Sequence, residues 1–283
     1  MKKVTNRMMI NFEAHLRAEE KSPATVEKYI RDVRAFSAWL HGRALEKSAV
    51  LAYKSAITAA YAPMSVNSML SSLNRFFSYI DRRDCTVKTL KIQRQLFASR
   101  EKELTKDEYA RLLNAAKMAG NERLNLVMQT ICASGIRVSE LRFITVEAVN
   151  RRQALVRNKG KTRTVFLPKA LCRELMVFIK KKKRTSGAVF VTRNGRPLDR
   201  SNIWSEMKKL CALAGVARSK VFPHNLRHLF ARTFYAVQKD IVRLADVLGH
   251  ASIDTTRIYT RESGEEHRRM IERLGLAGVR MNT

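Results

Sequence analysis

The feature that most constrains the fold is an apolar stripe after Ser65. Val66, Met69, Leu70, Leu73, Phe76, Phe77 and Ile80 recur every three to four residues, opposite Asn67, Ser71 and Asn74. Only an α-helix turns those positions onto one face, and that face must be buried against other elements. A second such segment opens at Ser22-Pro23, a pair suited to a helix entry. It carries Val26, Tyr29, Ile30, Val33, Phe36 and Leu40 on one face and Lys28, Arg31 and Arg34 elsewhere. With flanking helices expected over residues 8–19 and 46–60, residues 1–87 read as a small all-helical domain.

Residues 88–103 are rich in Lys, Arg and Gln, show no helical stripe and read as a basic linker. Thr105 and Glu108 then stand in capping-box spacing and open a helix through Tyr109, Leu112, Leu113 and Ala116, which begins a second domain over 104–283. Within it, strand-like runs at 154–157 and 164–167 flank Asn158-Lys159-Gly160-Lys161 and predict a hairpin. A third strand is expected at 188–192, before helices resume near Arg200. The expected fold class is mainly α with a small antiparallel β-sheet.

Charge narrows the function. The chain of 283 residues has 55 Lys and Arg against 25 Asp and Glu, a formal +30, of which the first 94 residues carry +9 and the remainder +21. Both parts are basic, which suits two domains that touch one polyanion rather than a neutral enzyme with a basic tail. A membrane surface would need a hydrophobic anchor, and no apolar run approaches bilayer-spanning length, so nucleic acid is the expected partner, with no membrane and a cytoplasmic location. The four cysteines, Cys85, Cys132, Cys172 and Cys211, form no CxxC pair and predict neither a disulfide framework nor a zinc site.

Four short segments carry the candidate chemistry: residues 134–141 (SGIRVSEL), the hairpin lysine region, residues 224–228 (HNLRH), and Leu248-Gly249-His250 followed by Tyr259. Singly, each residue has an ordinary structural reading. Together they supply two guanidinium forks for a phosphodiester, imidazoles, an ammonium and a phenol nucleophile. His224 and Arg227, three apart, share a helix face. His224 and His228 at i,i+4 could also be read as metal ligands, but Arg227 lies between them and no carboxylate follows at ligand spacing. No metal or other cofactor is expected.

The order and spacing of these segments resemble the tyrosine recombinase, or site-specific integrase, family, of the compact Xer-like or mobile-element kind. The resemblance covers nearly the whole chain, since the helical first domain is similar to that family's core-binding domain. It implies a helical core-binding domain followed by an α+β catalytic domain, with Arg137, Lys159, His224, Arg227, His250 and Tyr259 as catalytic residues. It further implies a 3′-phosphotyrosine intermediate with a free 5′-hydroxyl, strand exchange through a Holliday junction by a homotetramer on paired double-stranded DNA recombination sites, and room for an accessory directionality factor. Integration or excision of a mobile element and Xer-like resolution share this chemistry.

By that resemblance Lys159 is the general acid for the leaving oxygen, with Lys161 a competitor because the segment departs from the commoner Gly-Lys-Gly form. Glu140, three residues after Arg137, is read either as a partner that orients the guanidinium or as a surface ion pair. Arg163 is expected on the DNA backbone. The amphipathic stretch 267–276, with Met270, Ile271, Leu274 and Leu276 apolar, is expected to pack as a C-terminal helix, on a neighbouring protomer or on its own domain. A type IB topoisomerase would use nearly the same residues. A purely DNA-binding regulator would share the charge but gives no reason for the six residues to occur together.

Overall fold

Most helices of the first unit start where a side chain caps the first turn or a proline removes one of its free N–H groups. Thr5 accepts from the Met8 amide to cap α1 (Asn6–Ala18), and Ser22 accepts from Thr25 ahead of Pro23 at the start of α2 (Pro23–Leu40). α3 (Lys47–Ala60) and α4 (Pro63–Tyr79) follow, α4 beginning at Pro63, ahead of the Ser65 from which its stripe was counted. The stripes of α2 and α4 meet: Val33, Phe36, Leu70, Leu73, Phe76 and Phe77 are fully buried, with Phe36 edge-on to Phe77 at 5.6 Å between centroids.

The polar face of α4 is also used. The Asn67 amide exchanges two hydrogen bonds with the backbone of Leu90, and that of Asn74 two with Val87, as a strand edge would. They hold the exit segment on α4 as far as Leu90, beyond the point where the sequence pattern places the start of the linker. Lys28 does not sit free on a basic face: its ammonium donates to buried Asp32 at 2.9 Å and to Ser72 at 2.7 Å.

The structure, a computed structural model, describes residues 3–92, 100–158, 160–192, 194–250, 252–259 and 272–273. The chain divides into two compact units, Met1–Arg94 and Gln95–Thr283. The second opens with the complete Thr105–Glu108 capping box on α5 (Lys106–Met118), followed by α6 (Glu122–Ser134), a 3-10 segment Val138–Phe143 and α7 (Val146–Arg151). The antiparallel hairpin β1 (Gln153–Asn158) and β2 (Lys161–Phe166) pairs Asn158 with Lys161 and leaves a two-residue turn in which Gly160 has φ +75°.

After α8 (Lys169–Lys181), the third strand expected at 188–192 does not form. Isolated bridges join Thr145 to Ala188 and Val191 to Pro197, because Gly187 and Asn194-Gly195 turn the chain on either side before a ladder can extend. α9 (Arg200–Lys209), the short α10 (Cys211–Ala214), α11 (Pro223–Gln238), α12 (Ile241–Leu248), α13 (Ile253–Thr256) and a 3-10 turn Arg257–Tyr259 complete the described residues. Among these no helix is long and apolar enough to cross a membrane. All four cysteines are free thiols, three of them buried. Core residues of α5, α6, α8, α9 and α11 form one cluster, and a satellite cluster of Ala231, Leu244, Leu248 and Tyr259 packs α11 against α12 and the final turn.

Candidate active site

Two helices end at the site with the same device. α6 terminates at Gly135 (φ +66°) and α12 at Gly249 (φ +63°), so their last carbonyls have no partner within the helix. Such carbonyls sit at the negative end of a helix dipole and attract cations. Arg227 of α11 fills this role between them: Nη1 donates to the Gly135 carbonyl at 2.5 Å, and Nη2 to the Leu248 carbonyl at 2.8 Å. Three successive carbonyls at the end of α12 accept from three different arginines. Val247 accepts from Arg163 at 3.3 Å, Leu248 from Arg227, and Gly249 from Arg137 at 3.4 Å. Gly249 admits the Arg163 stem, since a Cβ there would come within 2.6 Å of Arg163 Cδ.

Arg227 is 1% exposed, the largest buried side chain among the described residues, and its Nε has no hydrogen-bond partner. Burial, and then the charge of Arg137, bring its pKa down to about 10, which leaves it cationic at neutral pH. Arg227 Nη2 also lies 3.0 Å from His250 Nε2. A guanidinium can only donate, so Nε2 is the acceptor and the His250 proton sits on Nδ1, which donates to Thr256 Oγ1 at 2.8 Å. His250 is therefore neutral, in keeping with a pKa lowered to about 4 by burial and by Arg227.

Arg137 follows Gly135 at the head of the 3-10 segment. Its Nη1 donates to Glu140 Oε1 at 3.0 Å and its backbone N–H to Oε2 at 2.8 Å. Glu140 is 1% exposed, so it is not a surface partner. Burial alone would raise its pKa, but hydrogen bonds from Arg163 and from the Arg137 backbone hold it at about 2. Arg163 thus turns inward, against the expectation that it lies along DNA. Arg137, His224 and Arg227 line one open cleft with Ser139, Arg200 and Trp204. The last two come from α9 and carry no motif that marks them in sequence.

His224 has its pKa lowered by burial and then by Arg227. His250 and Tyr259 do not line that cleft. Tyr259, 5% exposed, packs in the satellite cluster, its ring edge-to-face with His228 at 4.8 Å and stacked on His250 at 6.1 Å. Burial raises the phenol pKa, and the charge and hydrogen bond of Arg227 oppose that rise. Lys159 and the C-terminal stretch 267–276 fall outside the described residues, Glu272 and Arg273 excepted. Lys161, the alternative, is exposed at the first position of β2.

His228 is half-buried against both His224 and Tyr259, and its buried Nε2 has no hydrogen-bond partner among the described residues. Burial, then His224, lowers its pKa to about 4. Because the folded pKa lies below the unfolded value, the unfolded chain takes up the proton first. Stability is whole above about pH 6.5 and is lost as pH falls toward 4. From pH 7.5 to 5 this group costs the catalytic unit about 2 kcal/mol, or roughly 5 °C in melting temperature. His228→Phe is expected to keep the ring contacts and lose that share of the acid sensitivity. Melting curves of both proteins at the two pH values check it, and equal acid shifts would refute it.

Comparison with known proteins agrees with this architecture. Residues 102–266 match the phage integrase family, and residues 9–84 match the N-terminal SAM-like domain of phage integrases. The chain is 30% identical to the tyrosine recombinase XerA of Thermococcus kodakarensis, over 96% of both chains. It is 29% identical to XerD of Vibrio cholerae, over 72% of both. Among solved structures, a lambda integrase (residues 75–356) dimer bound to a COC′ core site superposes with TM-score 0.75 at 18% identity, covering 92% of this chain and 96% of that one. XerH bound to a difH substrate, post-cleavage, superposes with TM-score 0.71 at 19% identity, covering 87% and 79%. The fold is thus that of DNA-cleaving recombinases. The chain belongs to the phage integrase family and is a tyrosine-type site-specific DNA recombinase.

Proposed function

We propose that Arg137 and Arg227 bind the scissile phosphodiester, with His224 and His250 beside them as proton donors or acceptors, and that Tyr259 is the nucleophile. A bond forms between Tyr259 Oη and phosphorus while the bond from phosphorus to the DNA 5′-oxygen breaks. The phenolic proton leaves to a base, and Lys159, which lies between β1 and β2 in the sequence, protonates the departing oxygen. The ester keeps the bond energy, so a 5′-hydroxyl can reverse the step without a nucleotide cofactor. The observation that carries this reading is the convergence on Arg227: residues 135, 248 and 250, distant in sequence, all meet its guanidinium, and its charge acts on the phenol of Tyr259.

Charge develops on the non-bridging oxygens during attack, and fixed cations aimed there lower the barrier without reorganisation. The N-terminal helical unit, 1–87, and the catalytic unit, 104–283, joined by the basic segment 88–103, would each contact DNA. Strand exchange requires two duplexes and a homotetramer. The apolar groove lined by Tyr109, Cys132, Phe230, Phe234 and Val237 could receive an amphipathic segment such as 267–276, from a neighbouring copy or from the same chain. The likeness to XerA along 96% of both chains favours Xer-like resolution or a compact integrase among the uses of this chemistry.

The test is covalent capture from a pool of nicked duplexes with randomised cores. Captured strands are sequenced to give the site, and the adduct is digested to find the linked peptide. The expected result is a Tyr259 peptide bound to a 3′-phosphate with the opposing 5′-end free. Linkage at another residue, or at a 5′-phosphate, overturns the reading.

A further inference from the structure

Arg163 and Glu140 have no part in the chemistry just described, yet they are the most tightly paired charges around it. Arg163 Nη1 and Nη2 donate to Glu140 Oε1 and Oε2, each at 2.9 Å, in a planar two-point bond. The same carboxylate accepts from the Arg137 guanidinium and from its backbone N–H. Arg163 is also fixed at Val247 and by the bare Gly249, one residue before His250.

The electrostatic consequence follows from counting charges. A phosphate facing Arg137 alone with Glu140 would meet a guanidinium whose charge the buried carboxylate largely cancels. Two guanidiniums on one carboxylate leave a surplus positive charge, in a site where low exposure weakens solvent screening. Arg163 belongs to β2, so this surplus, the strand that follows the hairpin turn and the end of α12 are set by one side chain.

Resting on the reading of Arg137 as a phosphate-binding residue, we propose that Arg163 is a positioning residue for the cleavage reaction. It occupies Glu140, so that the charge of Arg137 acts on the phosphate, and it fixes the turn that presents His250.

Arg163→Met is expected to lower the rate of covalent capture at saturating DNA about 100-fold, the scale of losing one preorganised donor. The DNA concentration for half-saturation should change by less than about threefold, because few phosphate contacts are lost. The loss should shrink to less than about fivefold on DNA with a methylphosphonate at the cleaved position, where a methyl group replaces a charged oxygen and less charge awaits compensation.

Adding Glu140→Gln to Arg163→Met removes the carboxylate that would otherwise cancel the charge of Arg137, and is expected to recover at least about tenfold of the rate on phosphate DNA. The double variant also guards against misfolding from a buried carboxylate that has lost one of its arginines. Equal losses on both DNAs, or a folded double variant no faster than Arg163→Met, would overturn the assignment. Arg137→Ala, run alongside, separates the two failures. Wild-type cleavage by that variant removes the phosphate-binding reading itself. An impaired Arg137→Ala beside an Arg163→Met defect unchanged on methylphosphonate removes only the role of Arg163.

Discussion

Tyr259→Phe is expected to abolish covalent capture of nicked DNA, with the rate at least about 10⁴-fold below wild type, while retention of the same DNA in a native gel stays within about twofold. The substitution deletes one oxygen. The ring remains among Ala231, Leu244 and Leu248, still edge-on to His228 and stacked on His250, so packing is conserved. What goes is the only atom of that side chain able to bond phosphorus, together with its electrostatic attraction to Arg227. Melting temperature therefore serves as the control: a variant that unfolds early would make loss of capture uninformative, and one that melts like wild type ties the loss to the hydroxyl. In the wild type, burial holds the phenol pKa above its ordinary value, so capture should accelerate as pH rises from 7 toward 10. Adduct formation by the phenylalanine variant would remove Tyr259 from the reaction.

Much of this arrangement was legible in the sequence because it rests on periodicity and on motifs short enough to be read directly. The stripes of α2 and α4, the Thr105–Glu108 box and the hairpin about Gly160 are local patterns, and the local geometry follows them. The third strand failed for an equally local reason, since glycine turns flank it. The site was legible as a set of residue types but not as a network. Nothing in the spacing of Arg137, Glu140 and Arg163 states that two arginines share a carboxylate that is 1% exposed. That is a product of how the hairpin packs on the 3-10 segment.

One signal was available. Arg163 and Val165 lie on the same face of β2 by the two-residue period of a strand, and Val165 is a core residue, so Arg163 had to point inward. His228 was obscured for a similar reason: at i+4 from His224 it shares a helix face with the site, but only the packing of Tyr259 on that face gives it a neighbour that matters.

Arg227 is the position where structure and chemistry are hardest to separate, and Arg227→Lys is the substitution that separates them. Lysine keeps the charge but offers a single point of contact in place of a fork. The guanidinium now joins the ends of α6 and α12 through the carbonyls of Gly135 and Leu248 and sets the His250 tautomer through Nε2. An ammonium cannot reach all three at once while also meeting a phosphate, and the buried carbonyls left unpaired each cost about 1–3 kcal/mol.

The expected result is a fall in capture rate of about 10³-fold, together with a lower melting temperature, the first from lost transition-state donors and the second from the unpaired carbonyls. A phosphate analogue separates the contributions. With vanadate occupying the site, part of the stability should return, because the anion restores a partner for the cation that burial has destabilised. The rate should not return, since the fork geometry is still absent. If Arg227→Lys instead captured DNA at the wild-type rate, a positive charge alone would suffice, and the fork held between the two helix ends would be scaffolding for the fold rather than part of the reaction.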